Sequence, residues 1–229
     1  TPTAAQLQDM VNFELALSTA QITDNSASQL NALGATGGSQ ALASQPFAIG
    51  VNDFSSGSFN ENAMTLFAPW ANLTGTDSVT LARQSIARGE TIFNTRTFNI
   101  TGVNGLNDVL NQPTIVGTCT TCHDTPNVGN HSLDGEFNTA VASETVGVNN
   151  NFPTYTFTNI TTGATITLTD PGEGLITGKW ADLGKFKVPT LRGLASRAPY
   201  FHNGVGTTLT DVIHSYDARF TIGFSNQDE

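Results

Sequence analysis

The chain has 229 residues and 38% hydrophobic content, enough for one large domain, or a domain with an extension, around a real core, which excludes a short disordered tail. Only 12% of residues are charged, and 9 Lys+Arg against 19 Asp+Glu leave a net charge of -10. With no basic cluster to neutralise phosphates, that balance argues against a nucleic-acid groove, and no apolar run approaches the roughly 18 residues needed to span a bilayer.

The chain opens on a helix start, with either Thr1 as cap and Pro2 in the first turn or Thr3 and Gln6 as a capping box. The apolar positions Leu7, Met10, Val11, Leu15 and Leu17 follow. Met10 and Met64 are the only methionines, and both are expected in the core. From Thr23 to Thr76 the sequence is rich in Gly, Ser and Asn with few periodic positions, and reads as irregular. Val79, Ala82, Ile86, Gly89 and Phe93 then fall at steps of 3, 4, 3 and 4, predicting an amphipathic helix through DSVTLARQSIARGETIF. Asn94 to Thr118, rich in Asn, Gly and Thr, reads as a loop insertion.

Cys119-Thr120-Thr121-Cys122-His123 is the C-x-x-C-H signature of haem c attachment. On a helical turn, residues three and four apart share a face, so both thiols and the imidazole can meet one object. Two thiols add across the vinyl groups of a haem while His123 reaches the iron. A Cys-x-x-Cys redox pair gains nothing from His123, and a zinc site needs about four ligands where no second cysteine pair exists. A strained disulfide across the two threonines is the remaining alternative. His131 lies in a Gly/Asn loop just beyond and is expected to face solvent. Pro153 to Gly172, PTYTFTNITTGATITLTDPG, alternates as two short strands around a Thr-Gly turn. Trp70 and Trp180 are expected as buried structural residues, with a place near the haem edge as the alternative.

The segment Gly184 to Phe220, GKFKVPTLRGLASRAPYFHNGVGTTLTDVIHSYDARF, resembles the C-terminal haem domain of the bacterial di-haem cytochrome c peroxidase and MauG family. There an F-K-x-P-T-L-R segment leads to A-P-Y-x-H-[DN]-G and a T-L helix. With ARGETIF and the cysteine motif, the resemblance covers roughly residues 79 to 220 in the family order. It implies thioether bonds at Cys119 and Cys122, His123 as proximal ligand, and a distal ligand fourteen residues after His202, which is Tyr216. The peroxidases carry methionine there and MauG a tyrosine; a phenolate favours ferric iron and lowers the potential. Read from periodicity alone, Leu209, Val212, Ile213 and Tyr216 are equally the inner face of a helix, with His214 pointing elsewhere. Arg192 is expected to pair with a haem propionate and His202 to lie near the haem edge. The glycine of ARGETIF is expected to let another helix cross closely.

The family carries two haems, and this sequence holds one C-x-x-C-H. The opening helix resembles the family's interdomain link, and Asn226-Gln227-Asp228-Glu229 resembles a cap opening a further helix. A piece of a di-haem protein, with a second haem domain elsewhere, and a mono-haem protein that lost its first domain both fit. The expected fold is mainly α: a c-type cytochrome domain over 77–229 with long loops and a small inserted β-hairpin near 153–172, preceded by a linking helix and irregular extension over 1–76. The expected function is one-electron transfer by one covalently attached haem c, with a basic redox partner suited to the acidic chain. A haem peroxidase-type enzyme with an open distal iron, using His202 or His214 for protons, is the alternative. A structural or sensory cytochrome module is a third. Haem c attachment implies a periplasmic or extracellular location.

Overall fold

The computed structural model describes residues 2–16, 20–133, 135–142 and 152–225. Local capping starts its longer helices. Helix α1 (Ala4–Ala16) begins at the Thr3–Gln6 box: the Thr3 N–H donates to Gln6 Oε1 at 2.9 Å and the Gln6 N–H to Thr3 Oγ1 at 3.2 Å. Leu7, Met10, Val11 and Phe13 on this helix are exposed. Met10 is therefore not a core residue, because the rest of the described chain does not cover this face. The expectations placed on Thr1, on Leu17 and the Leu15 side chain, and on residues 226–229 lie outside what is described.

The stretch from 20 to 76 contains a two-residue pair, β1 (Thr23–Asp24) with β2 (Ser28–Gln29), a short α2 (Ser39–Ala43) and a 3-10 turn over Ala68–Asn72. Despite its polar composition it is packed. Ala27, Leu30, Ala35 and Trp70 form one cluster with Ala87. The fully buried Trp70 donates its indole N–H to the Ala32 carbonyl at 2.8 Å, a structural tryptophan as expected. Trp180, on the turn Trp180–Asp182, is half-buried.

Ala87 belongs to α3 (Ser78–Thr95), capped by Asp77, whose Oδ1 accepts the Thr80 N–H at 3.0 Å and whose Oδ2 accepts the Thr80 hydroxyl at 2.7 Å. A Cβ built on Gly89 would meet nothing within 4 Å. No element crosses closely there, and the glycine instead borders a cavity.

The expected loop insertion is the heart of the second core. Strands β3 (Phe98–Thr101) and β4 (Thr114–Gly117) pair antiparallel with Ile100 opposite Ile115. Ile100, Val103, Leu106 and Ile115 are buried with Phe137 and Val188. The buried Asn107 closes the connection, accepting the Val103 N–H and donating to the Ile100 and Gln112 carbonyls. Four-residue strands are too short for alternation to stand out from a polar background, so this hairpin is hidden in the sequence.

The hairpin expected near 153–172 is present as β5 (Tyr155–Thr158) and β6 (Thr165–Leu168), with Tyr155 opposite Leu168. A single-turn α4 (Gly174–Thr177) follows, then α5 (Leu209–Phe220). Among the described residues, five α-helices and three small antiparallel strand pairs are set in chain that is mostly irregular. The helical share falls short of a mainly α domain because 22 glycines, 9 prolines and many Asn, Ser and Thr side chains close turns on the backbone. Among the described residues, no helix is long and apolar enough to cross a membrane.

Candidate functional site

Thr118 sets the geometry of the cysteine motif. It caps a 3-10 turn over Cys119–Thr121: its Oγ1 accepts the Thr120 N–H at 3.3 Å, while its own N–H donates to Thr121 Oγ1 at 3.0 Å. The buried Thr120 hydroxyl donates to the Glu61 carbonyl at 2.9 Å. The Cys122 and His123 N–H groups both return to the Cys119 carbonyl, at 3.4 and 3.1 Å. This winding brings the two cysteines and the histidine together, as the spacing predicts.

Both cysteines are free thiols, which removes the disulfide alternative. Burial pushes the Cys119 thiol up to about 11; burial, with the nearby Asp124 and Cys119, pushes Cys122 up to about 12. A catalytic redox pair needs a lowered thiol pKa, so these environments oppose a thioredoxin-like role. They suit thiols held neutral until they are covalently capped.

The His123 ring has one nitrogen committed. Nδ1 lies 2.5 Å from the Gly129 carbonyl, which can only accept, so the proton sits on Nδ1 and the Nε2 lone pair is left for an electrophile. Burial lowers the His123 pKa and favours this neutral form. The Phe93 ring lies 6.0 Å from the imidazole. Gly129 has φ +75°, and a Cβ there would come within 2.7 Å of Leu191 Cγ and 2.9 Å of Met64 Cε. Only glycine serves at this acceptor position.

The same loop recruits the P-T-L-R segment: the Leu191 N–H and the Thr190 hydroxyl both donate to the Val128 carbonyl, at 2.9 and 3.2 Å. Arg192 is thereby carried to the wall of a cavity of about 510 Å³ that also reaches Phe93, Gly89 and Met64. Its Nε and Nη2 are buried without a hydrogen-bond partner, and burial lowers its pKa. An orphaned guanidinium beside a cavity fits an incoming carboxylate such as a haem propionate. A second cavity, of about 590 Å³ beside Phe98 and Arg219, touches none of the candidate residues.

On the last turns of α5, burial first and then the Cys122 and Cys119 thiols push the Tyr216 phenol upward, which places it within electrostatic reach of the cysteine motif. Phe201 meets its ring edge-on at 5.8 Å, and Phe220 stacks at 6.3 Å. Leu209 and His214 of the same helix are exposed. His202 stacks on Phe186 at 3.7 Å, with Asp170 Oδ2 also 3.7 Å away, and burial lowers its pKa. Cys119, Cys122 and His123 thus share one turn with the Tyr216 phenol within electrostatic reach, Arg192 lines the cavity beyond the Gly129 loop, and His202 holds a separate aromatic stack.

His131 overturns the expectation of solvent exposure. It is 6% exposed, its Nδ1 lies 2.6 Å from Asp124 Oδ2, and its ring packs on Phe137 at 5.0 Å. Asp53 and Asp124 are buried beside it, and neither stood out in the sequence. Asp124 directly follows the motif, but Asp53 is distant in the chain, so no local signal joins the three.

No family model matches the chain, and no solved structure matches it. It is similar to curated proteins named cytochrome-c peroxidase. The IdrP2 protein of Denitromonas iodatirespirans is 36% identical over 108 residues, 44% of this chain and 28% of that protein. IdrP2 of Pseudomonas sp. (strain SCT) is 35% identical over 106 residues, 43% of this chain and 27% of the relative. IdrP1 of the same strain is 46% identical over 48 residues, 21% of this chain and 13% of the relative. The matched stretch spans little more than a quarter of the relatives' length.

Proposed function

We propose that this chain is a haem c protein of the cytochrome c peroxidase kind, with one haem attached through Cys119 and Cys122 and used for one-electron transfer. The observation that carries this reading is the single turn presenting two free thiols together with a His123 whose Nδ1–H is tied to the Gly129 carbonyl. When bound, haem supplies an iron that exchanges one electron between its ferric and ferrous states. The thiols anchor the ring covalently, and the Nε2 lone pair of His123 serves as proximal donor. Hydrogen bonding at Nδ1 fixes the tautomer and raises the basicity of that donor.

Tyr216 is the distal donor in this reading, making the chain MauG-like rather than a His/Met cytochrome. Burial keeps its phenol protonated, so Tyr216 would act as an iron donor only by giving up that proton. The Arg192 guanidinium takes a propionate, while His202, stacked on Phe186, takes no part in this reading. Export for haem attachment makes the periplasm or cell exterior the location, and the acidic chain suits a basic redox partner.

A second reading has Tyr216 remain a neutral phenol, leaving an open distal position for peroxide; the same upward shift and the names of the relatives favour it. Absorption spectra of the oxidised and reduced protein, with a pyridine haemochrome assay and Tyr216→Phe, decide. A low-spin six-coordinate ferric spectrum that turns high-spin in Tyr216→Phe is the expected result. A high-spin spectrum in the unmodified protein overturns the relay and leaves the peroxidase; no haem c in the haemochrome overturns both.

A further inference from the structure

Among the described residues, Asp53, Asp124 and His131 form a group of metal-binding side chains, all buried, with one donor atom from each lying within 4.8 Å of the others. Asp124 is 0% and Asp53 4% exposed. Asp124 Oδ2 accepts the Nδ1–H of His131 at 2.6 Å, which turns Nε2 toward Asp53 Oδ2. Those two atoms are 3.7 Å apart, beyond hydrogen-bond reach. Asp53 Oδ1 is already occupied by the Ser55 N–H at 2.6 Å and by the Ser55 hydroxyl, so Oδ2 is the atom left to act. Asp124 Oδ1 is buried with no partner.

Room and charge point the same way. Gly135 stands beside Nε2, where a Cβ would lie 3.5 Å away in ordinary van der Waals contact, so no side chain of that residue covers the ring there. The charged groups acting on the imidazole are Asp124, Asp53 and Glu136, all acidic. Two buried carboxylates are costly to hold unless a positive charge offsets them. A proton on Nε2 offsets one charge but does not account for Nε2 and Asp53 Oδ2 standing 3.7 Å apart. A cation bonded at about 2.0–2.1 Å to a nitrogen and an oxygen holds them roughly 3.0–3.6 Å apart, close to what is seen.

We propose that Asp53, Asp124 and His131 bind one divalent transition-metal cation of the zinc class. His131 Nε2 and Asp53 Oδ2 contact the cation, and Asp124 orients the ring in a carboxylate–histidine–metal arrangement, with water completing the shell. The imidazole donor selects this class over calcium or magnesium, which prefer oxygen throughout. The site clasps the segment around Asp53 to the loop after the cysteine motif, beside existing bonds from the Gly50 N–H to Ser132 Oγ at 2.9 Å and from Asn52 Nδ2 to the Asp124 carbonyl at 3.0 Å. It does not depend on the haem reading.

The test is calorimetric titration of the purified, chelator-stripped protein with Zn²⁺, and separately with Ca²⁺, alongside Asp53→Asn and His131→Gln. One equivalent of Zn²⁺ is expected, bound at least tenfold more weakly by either variant. A Zn²⁺-dependent rise in melting temperature is expected in the unmodified protein only. Asp53→Asn keeps the side-chain shape, so it decides the matter even if His131→Gln does not fold. Absence of Zn²⁺ uptake, equal uptake by Asp53→Asn, or Ca²⁺ binding as tight as Zn²⁺ overturns the proposal. Haem content, read by haemochrome on the same samples, leaves these outcomes unchanged.

Discussion

Two capping boxes open the two elements that carry the candidate iron-facing residues, and they differ in surroundings rather than in plan. The box before Cys119 joins Thr118 and Thr121, both buried and neutral. The box before α5 joins Thr208 to the Asp211 carboxylate, with Thr208 exposed. In each, a side-chain oxygen accepts a backbone N–H of the first turn and a second side chain returns to the cap. The same local device therefore serves a rigid, dry anchor on one side of the site and a solvated, titratable helix start on the other. A lost partner at the first leaves a buried polar group unsatisfied, whereas at the second water replaces it.

The sharpest way to break the anchor lies just past it. Gly129→Ala forces a side chain into the left-handed region and against Leu191 and Met64, and should cost about 3 kcal/mol in denaturant unfolding. An unfolding midpoint equal to that of the unmodified protein would show that the loop can shift its carbonyl away from His123 without strain. Next in size is the contrast between the boxes: Thr118→Val should cost about 1–2 kcal/mol and Thr208→Val under about 1 kcal/mol. Equal losses would mean that burial does not separate them.

The smallest effect is in acid. The Thr207 hydroxyl and then the Thr208 N–H hold the Asp211 carboxyl down to about 2. Its folded pKa lies below its unfolded one, so its contribution is present above the ordinary carboxylate range of about 3.9 and fades as pH falls toward 2. An NMR titration should show the first-turn amides of α5 shifting with a midpoint near 2, and Thr207→Val should move that midpoint upward. The Thr118 box carries no carboxylate, and its amides should stay still over the same range; a midpoint for Asp211 in the ordinary carboxylate range would remove the distinction.

What the sequence determined by itself was what neighbouring residues decide between them. The Thr3–Gln6 box, α3 behind the apolar stripe from Val79 to Phe93, the turn that gathers Cys119, Cys122 and His123, and the hairpin of β5 and β6 depend on spacing over a few residues. Burial and long-range pairing were decided by the tertiary structure. His131 sits in a polar loop by sequence, yet it is buried because Asp124 and Asp53 close on it and Phe137 covers its ring. Residues 98–117 look like loop, yet Ile100 and Ile115 meet across a hairpin and hold a core with Phe137 and Val188. Arg192 gains its place because Leu191 and Thr190 bond to Val128, about sixty residues earlier in the chain. Capping bonds and helical periodicity are properties of chain neighbours, while desolvation depends on which distant segments exclude water together.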